Sequence, residues 1–110
     1  MMTSEHELCV LLCNCPPSEA ARLASALVEQ SLASCVNIIR GVHSVYKWKG
    51  EVCSEEESTL VIKTSMDHVT EIDALMDAQH PHEVYELVQL DVGAVNASYA
   101  AWSHAQVGGS

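Results

Sequence analysis

Imidazole and carboxylate side chains cluster in one short segment of the chain. The segment holds four such residues and a proline: His80, Pro81, His82, Glu83 and Glu86. A proline biases the preceding residue towards extended dihedrals, and alternate residues of an extended segment point to one side, so we expect His80 and His82 to lie side by side. Imidazole and carboxylate donors suit Zn²⁺, Cu²⁺ or Ni²⁺, which makes the segment a candidate metal site. A polar loop that follows a helix, with Pro81 as its stop, is the alternative interpretation.

A second group of metal-capable side chains lies near the start of the chain. Cys13 and Cys15 form a C-x-C pair, and Cys9 has the same parity, so on a strand all three sulfurs lie on one face. Thiolates favour soft or borderline cations such as Cu⁺, Zn²⁺ and Cd²⁺. A buried free cysteine also serves as a small apolar side chain, and packing is the favoured interpretation for Cys9 and Cys35. For Cys15, the position beside Cys13 is the only argument for ligation.

Two aromatic residues and a lysine are candidates for a ligand cleft. Tyr46 and Trp48 share one face of a predicted strand near a turn, where half-exposed rings either pack in a subunit interface, the favoured interpretation, or line a ligand site. Lys63 lies in an apolar strand, and a buried ammonium needs an anionic partner. We therefore expect a structural ion pair across the sheet or a subunit boundary. The acids that could supply it are Glu55, Glu57 and Glu86.

The composition excludes several classes of function. The chain has 110 residues, of which 48% are hydrophobic, which predicts one globular domain spanning residues 1–110. Fifteen acids and five bases give a net charge of −10, so no basic surface is available to bind nucleic acid. No apolar stretch approaches a membrane span, and the acidic segment Met1–Glu7 is unlike the start of an export signal. The odd number of five cysteines then favours reduced thiols and a cytoplasmic location.

The chain carries little that is typical of an enzyme. Cys13 with His80 as its base is the one nucleophilic pair that can be drawn. No oxyanion-hole motif, glycine-rich phosphate loop or pair of catalytic carboxylates is recognisable in the sequence. We therefore predict a protein that binds rather than catalyses.

Hydrophobic periodicity predicts four stretches of extended chain, one of them interrupted by a bulge at Gly41, and three helices. The second helix takes its cap from Thr64 or Ser65. The predicted elements are strand Glu7–Asn14, a helix from about Ser18, strand Ser34–Ile39 continued as Val42–Trp48, a tight turn at Lys49–Gly50, strand Val52–Ser65, a helix that buries Val69, Ile72, Leu75 and Met76 and stops at Pro81, strand Glu86–Val92, helix Ala97–Val107 and a disordered tail over residues 108–110.

This order predicts the fold class. Two β-α-β units in succession, followed by a helix, are typical of an α+β ferredoxin-like split βαβ sandwich. The hairpin formed by Val42–Trp48 and Val52–Ser65 is longer than the sheet of such a domain needs. Because exposed strand edges recruit partners, we expect the chain to form oligomers by strand pairing.

Five blocks of sequence, spread over about residues 8–102, resemble the CutA divalent-cation-tolerance family in order and spacing. They are CNCP at residues 13–16, LASCVN at 32–37, SVYKWKG at 44–50, LVIKT at 60–64 and HPHEVYE at 80–86. The resemblance implies a cytoplasmic homotrimer with the ferredoxin-like fold, clefts between subunits, and a link to copper and other divalent cations, zinc being the second candidate. It also implies that Cys13, His80 and Glu86 match proposed copper ligands of the family.

The chain departs from the family pattern at two positions in the last block. His82 stands where the family usually has Tyr and adds an imidazole to the candidate metal ligands, and Tyr85 stands where it usually has Pro. Two further interpretations stay open beside metal binding. One is a regulatory module that binds a small anion or nucleotide in an inter-subunit cleft, and the other is a scaffold whose long hairpins contact an unidentified protein partner.

Overall fold

The computed structural model describes residues 2–3 and 8–107. Four strands form an antiparallel sheet, with two helices packed on one of its faces. The elements in chain order are β1 (Met2–Thr3), β2 (Leu8–Cys15), α1 (Pro17–Glu29), β3 (Cys35–Trp48), β4 (Glu51–Ser65), α2 (Val69–Gln79), β5 (Val88–Asp91), β6 (Val95–Asn96) and α3 (Ala97–Gln106). The sheet has the strand order β3-β4-β2-β5, which confirms the predicted split βαβ arrangement.

Alternate residues of the two central strands form the core. On β2 the inward residues include Cys9, Leu11, Cys13 and Cys15, each at most 2% exposed, and they pack against both helices. This alternation is the period-2 pattern expected of a strand with one covered face. Three of the five cysteines are therefore interior side chains, as the packing interpretation of Cys9 requires.

Helix α1 begins one residue before the predicted start. Pro17 occupies its first turn, where a missing N–H costs nothing because that group has no partner within the helix. The predicted apolar face is buried except for Val28, which is 44% exposed. The guanidinium of Arg22 donates to the carbonyl oxygen of Gln79 at 2.9 Å, so α1 caps the C-terminal end of α2.

The predicted cap of α2 is wrong. A 3₁₀ turn at Met66–His68 precedes the helix, and Ser65 makes no side-chain capping bond. The hydroxyl of Thr64 instead donates to the carbonyl oxygen of Leu32 at 2.6 Å. Thr64 is fully buried, so its hydroxyl serves the nearest buried acceptor and is not free to cap a helix.

The β3–β4 hairpin confirms the prediction in detail. Lys49 and Gly50 both have positive φ angles, +51° and +83°, as a two-residue hairpin turn requires. The register shifts by one residue at Gly41, whose φ is +72°, which is the predicted bulge. Strand β2 pairs with β4 only over residues 58–65, so residues 51–57 are paired with β3 alone.

The last strand is shorter than predicted, and a small second sheet was not predicted. Strand β5 spans only Val88–Asp91, and the side chain of Glu86, two residues before it, accepts a hydrogen bond from the backbone N–H of Asn14. Strands β1 and β6 pair as two short antiparallel segments. The predicted disordered tail, residues 108–110, lies outside the described residues. None of the described helices is long and apolar enough to cross a membrane.

Candidate functional site

The backbone of Asn14 is the centre of the candidate site. Its N–H donates to Oε1 of Glu86 at 3.0 Å, and its carbonyl oxygen lies 2.9 Å from Nε2 of His80. Cys13 is the preceding residue on β2. The antiparallel pairing of β5 with β2 places Glu86, two residues before β5, near the end of β2, and His80 reaches the same backbone from the end of α2. Sequence reasoning found the three side chains but missed the backbone group that organises them.

The hydrogen bonds of His80 determine its protonation state. Its Nδ1 accepts from the backbone N–H of His82 at 3.0 Å, so the ring proton is on Nε2 and is donated to the Asn14 carbonyl. His80 is only 8% exposed. Burial is the largest cause that lowers the pKa of His80 from its ordinary value. The imidazole is therefore neutral at pH 7, and both of its nitrogens are already engaged.

Aromatic neighbours hold the His80 ring in place. Tyr85 stacks on it with 5.6 Å between ring centroids and 27° between ring planes, and the His82 ring lies 4.9 Å away. The hydroxyl of Tyr85 donates to the carboxylate of Asp73, and that bond raises the pKa of Tyr85 to about 12. In the sequence, Tyr85 stood out only because the family that the chain resembles usually has Pro at this position.

The two thiols of the C-x-C pair are buried and protonated. Cys13 and Cys15 have no exposed surface. Burial raises the pKa of Cys13 to about 12, and its electrostatic interactions with Cys15, Glu86 and Glu57 act in the same direction. Burial also raises the pKa of Cys15. Because the thiolate is the nucleophile, these values argue against the Cys13–His80 catalytic pair.

The donor types at this end of the sheet suit a divalent cation, but the donors are not already gathered around one point. Among residues 8–107, no three His, Cys, Asp or Glu side chains are grouped so that they could hold a metal ion. Ligation by His80 or Glu86 would first have to displace a bond to Asn14. A cation would thus bind here only with local rearrangement of the ligands.

The candidate cleft residues do not meet within one chain. Tyr46 and Trp48 are 37% and 40% exposed on the hairpin, where Tyr46 lies opposite Cys53. Ten residues of β4 separate Cys53 from Lys63, which corresponds to about 33 Å of strand. A cleft that contains both aromatic rings and Lys63 can therefore form only between chains.

The predicted ion pair of Lys63 is wrong for the single chain. Its ammonium donates to the side-chain oxygen of Asn37 on β3, and within the described residues it pairs with none of the proposed acids. Lys63 pairs with Cys35 on β3, and Asn37 lies two residues further along that strand. Asn37 is therefore a diagonal neighbour of Lys63, close enough for its side chain to bond. Of the proposed acids, Glu55 is exposed, whereas Glu57 is buried.

Comparison with known proteins places the chain among related sequences. Residues 9–106 match the family model described as CutA1 divalent ion tolerance protein. A divalent-cation tolerance protein CutA from Thermus thermophilus is 39% identical over 100 residues, which cover 90% of this chain and 97% of the relative.

Solved structures agree with the sequence match. CutA from Synechococcus elongatus superimposes with a TM-score of 0.93 at 29% identity, covering 97% of this chain and 96% of that chain. A PII-like protein CutA from a Nostoc species, solved in apo form, has a TM-score of 0.84 at 35% identity and covers 90% and 96% of the two chains.

Proposed function

The chain belongs to the CutA1 divalent ion tolerance protein family, and from this premise we propose that it is a cytoplasmic homotrimer of divalent cation tolerance. It binds a divalent metal ion, copper or zinc, without catalysing a reaction. The metal ligands are drawn from Cys13, His80, Glu86 and His82. The observation that carries the proposal is that the His80 imidazole and the Glu86 carboxylate both bond the backbone of Asn14, the residue that follows Cys13.

The chemistry of the four residues supports this assignment. Thiolate and imidazole suit copper and zinc, and a carboxylate adds charge neutralisation. The net charge of −10 raises the local concentration of any cation. Because His80 must exchange its bond to Asn14 and the Cys13 thiol must lose its proton, we expect modest affinity that falls at low pH.

Self-association is supported by surfaces that one chain leaves uncovered. Residues 51–57 of β4 lack a second neighbouring strand, and the edge of β5 is exposed. Apolar side chains are exposed both on the hairpin and near these edges. The clearest examples are Val45 at 69%, Val52 at 73%, Ile39 at 50% and Leu90 at 46% exposure. Pairing of the hairpin with another chain would extend the sheet and cover this surface.

A second candidate function is a regulatory module that binds a small anion or nucleotide between subunits. The specific observation in its favour is that Lys63 is paired with a neutral amide, so its positive charge is not cancelled. Tyr46 and Trp48 would supply stacking surfaces in such a cleft. The solved Nostoc relative is itself described as PII-like.

Calorimetric titration of Zn²⁺ and Cu²⁺ into the purified protein tests the metal proposal. The test variant is Cys13→Ser/His80→Ala, and the matched control is Cys53→Ser/His43→Ala, which changes the same residue types on the hairpin. We expect the test variant to lose the site and the control to keep it. Equal metal binding by wild type, the test variant and the control variant would refute the site. A nucleotide titration of wild type and Lys63→Met would then test the regulatory candidate. Light scattering that gave a monomer mass would refute the trimer.

A further inference from the structure

The β3–β4 hairpin extends past the rest of the sheet as a two-stranded arm, residues 42–57. Strand β2 pairs with β4 only over residues 58–65, so the β4 edge of the arm has no second neighbour among the described strands. Strand β3 is the last strand of the described sheet, so its outer edge is unpaired as well. The arm therefore presents two free backbone edges, and such edges pair readily with a strand of another chain.

The two edges of the arm carry charges of opposite sign. Strand β3 holds no acid along its whole length, and Lys47 and Lys49 lie at its end and in the turn that follows. The β4 half of the arm holds no base, and its exposed acids are Glu51, Glu55 and Glu56. Three of the five bases of the chain lie between residues 40 and 49, so the one basic stretch of an acidic protein runs beside an acidic one.

The charges of the arm are not paired within the chain. In the register of the hairpin Lys47 lies opposite Val52, and Glu55 lies opposite Ser44. The ammonium of Lys49 lies over the ring of Trp48. Among the described residues, no charged side chain of the arm takes part in an ion pair. Both edges therefore keep their charge for a partner.

We propose that the acidic β4 edge of the arm pairs with the basic β3 edge of the arm of a second copy of this chain. This inference rests on the proposed function, because it names the contact through which the proposed homotrimer assembles. The incoming strand would continue the line of β2 beyond Cys15, since both would pair with successive parts of the same β4 edge. The contact thus lies beside the candidate site at Asn14.

Charge disfavours the symmetric alternatives. Pairing of two β4 edges sets acids against acids in every register, and pairing of two β3 edges sets bases against bases, whereas opposite charges on neighbouring strands stabilise a sheet. The β5 edge is four residues long and carries one charge, that of Asp91. A contact between unlike edges is heterologous, so it generates a closed ring or a filament, while a two-fold dimer needs the same surface on both copies. The charge pattern therefore favours a ring over a dimer.

Apolar surface on the arm supplies attraction that exposed charges alone do not. Val45 and Val52 are 69% and 73% exposed. Both lie on the face of the arm that carries Lys47, because Val52 is its cross-strand partner and Val45 precedes it by two residues. Exposed ion pairs are weak, so burial of these valines would provide affinity and the charges would select which edges meet.

Charge reversal tests the contact. The β3-reversed variant is Lys47→Glu/Lys49→Glu, the β4-reversed variant is Glu51→Lys/Glu55→Lys, and the fully reversed variant combines all four substitutions. Light scattering over a dilution series of the full chain measures assembly. We expect each half-reversed variant to need a protein concentration about tenfold higher or more for assembly, and the fully reversed variant to assemble like wild type.

Two controls separate the contact from net charge and from folding. Glu29→Lys/Asp77→Lys, at exposed helix positions, changes the net charge as much as the β4-reversed variant does and should assemble like wild type. Lys47→Gln/Lys49→Gln removes the basic charge without adding an acid, and it should weaken assembly less than charge reversal. Its assembly decides the matter if circular dichroism shows that a reversed chain does not fold.

Native mass spectrometry of wild type mixed with the fully reversed variant tests which edges meet. Each protein should form rings with itself and not with the other, because a mixed contact sets acid against acid or base against base.

The outcomes separate this inference from the proposed function. If the half-reversed variants or Lys47→Gln/Lys49→Gln assemble like wild type, or if mixed rings form freely, the inference is wrong and the proposed homotrimer stands. A folded, fully reversed variant that stays monomeric would also overturn the inference. If wild type is a monomer or a two-fold dimer, both the inference and the homotrimer fail.

Discussion

Replacing His80 by Ala should destabilise the fold by an amount that the structure lets us work out. The change removes the bond from Nε2 to the Asn14 carbonyl and the bond from the His82 N–H to Nδ1. Each is worth about 1 kcal/mol, and the lost stack on Tyr85 about 1 kcal/mol more. We therefore expect the free energy of unfolding to fall by about 3 kcal/mol, a large part of the total for a domain of this size.

The same substitution should change how stability depends on pH. Burial lowers the pKa of His80 in the folded protein, so below the ordinary value of 6.5 the unfolded chain binds a proton that the folded chain does not. The contribution of His80 to the free energy of unfolding is therefore complete above about pH 6.5. It is lost as the pH falls through the lower pKa that His80 has in the folded protein. The difference in stability between wild type and variant should be largest at pH 8 and smaller at pH 5.

Urea unfolding followed by tryptophan fluorescence measures both effects at a fixed protein concentration. His43→Ala is the control, because His43 is exposed on the hairpin and should change stability little. If His80→Ala lowers the free energy of unfolding by less than about 1 kcal/mol at pH 8, the two hydrogen bonds contribute less than a typical pair of hydrogen bonds. A difference that grows between pH 8 and pH 5 would refute the neutral state of the ring.

Three further predictions concern the turn, the thiols and the helix contact. Gly50→Val should lower the free energy of unfolding by about 1–2 kcal/mol and weaken self-association, because Gly50 has a φ of +83°. Gly93→Val, with equal free space and no positive φ, should cost less in the same urea assay, and equal losses would contradict the strain argument. Thiol titration in denaturant without reductant should count five free thiols, and a shortfall of two would reveal a disulfide. Arg22→Met should lower the free energy of unfolding by about 1 kcal/mol, since the carbonyl oxygen of Gln79 loses its cap. Arg40→Met, at an exposed position, should not lower it. Equal effects of the two substitutions in thermal melts would argue against the cap.

Local pattern was enough to predict most of the architecture. The apolar run of β2, the apolar face of α1 and the Lys49–Gly50 turn depend on neighbouring residues, so each could be recognised from the local sequence. The burial of β2 differs from the expectation, because its apolar run predicts a strand buried on both faces, whereas the structure fully buries alternate residues. The order of these elements then restricted the fold to the split βαβ class. Residue types alone marked the His80–Glu86 segment and the Cys13–Cys15 pair as metal-capable, and the resemblance to the CutA family singled out Cys13, His80 and Glu86.

The tertiary structure alone decided what those side chains touch. His80 and Glu86 bond Asn14 across 66 and 72 residues of sequence, and Lys63 bonds an amide on a neighbouring strand rather than an acid. None of these outcomes follows from residue type, because a polar group bonds whichever complementary group the packing brings nearest. Strand periodicity specifies which face a side chain occupies, but register and the position of distant loops specify its neighbours.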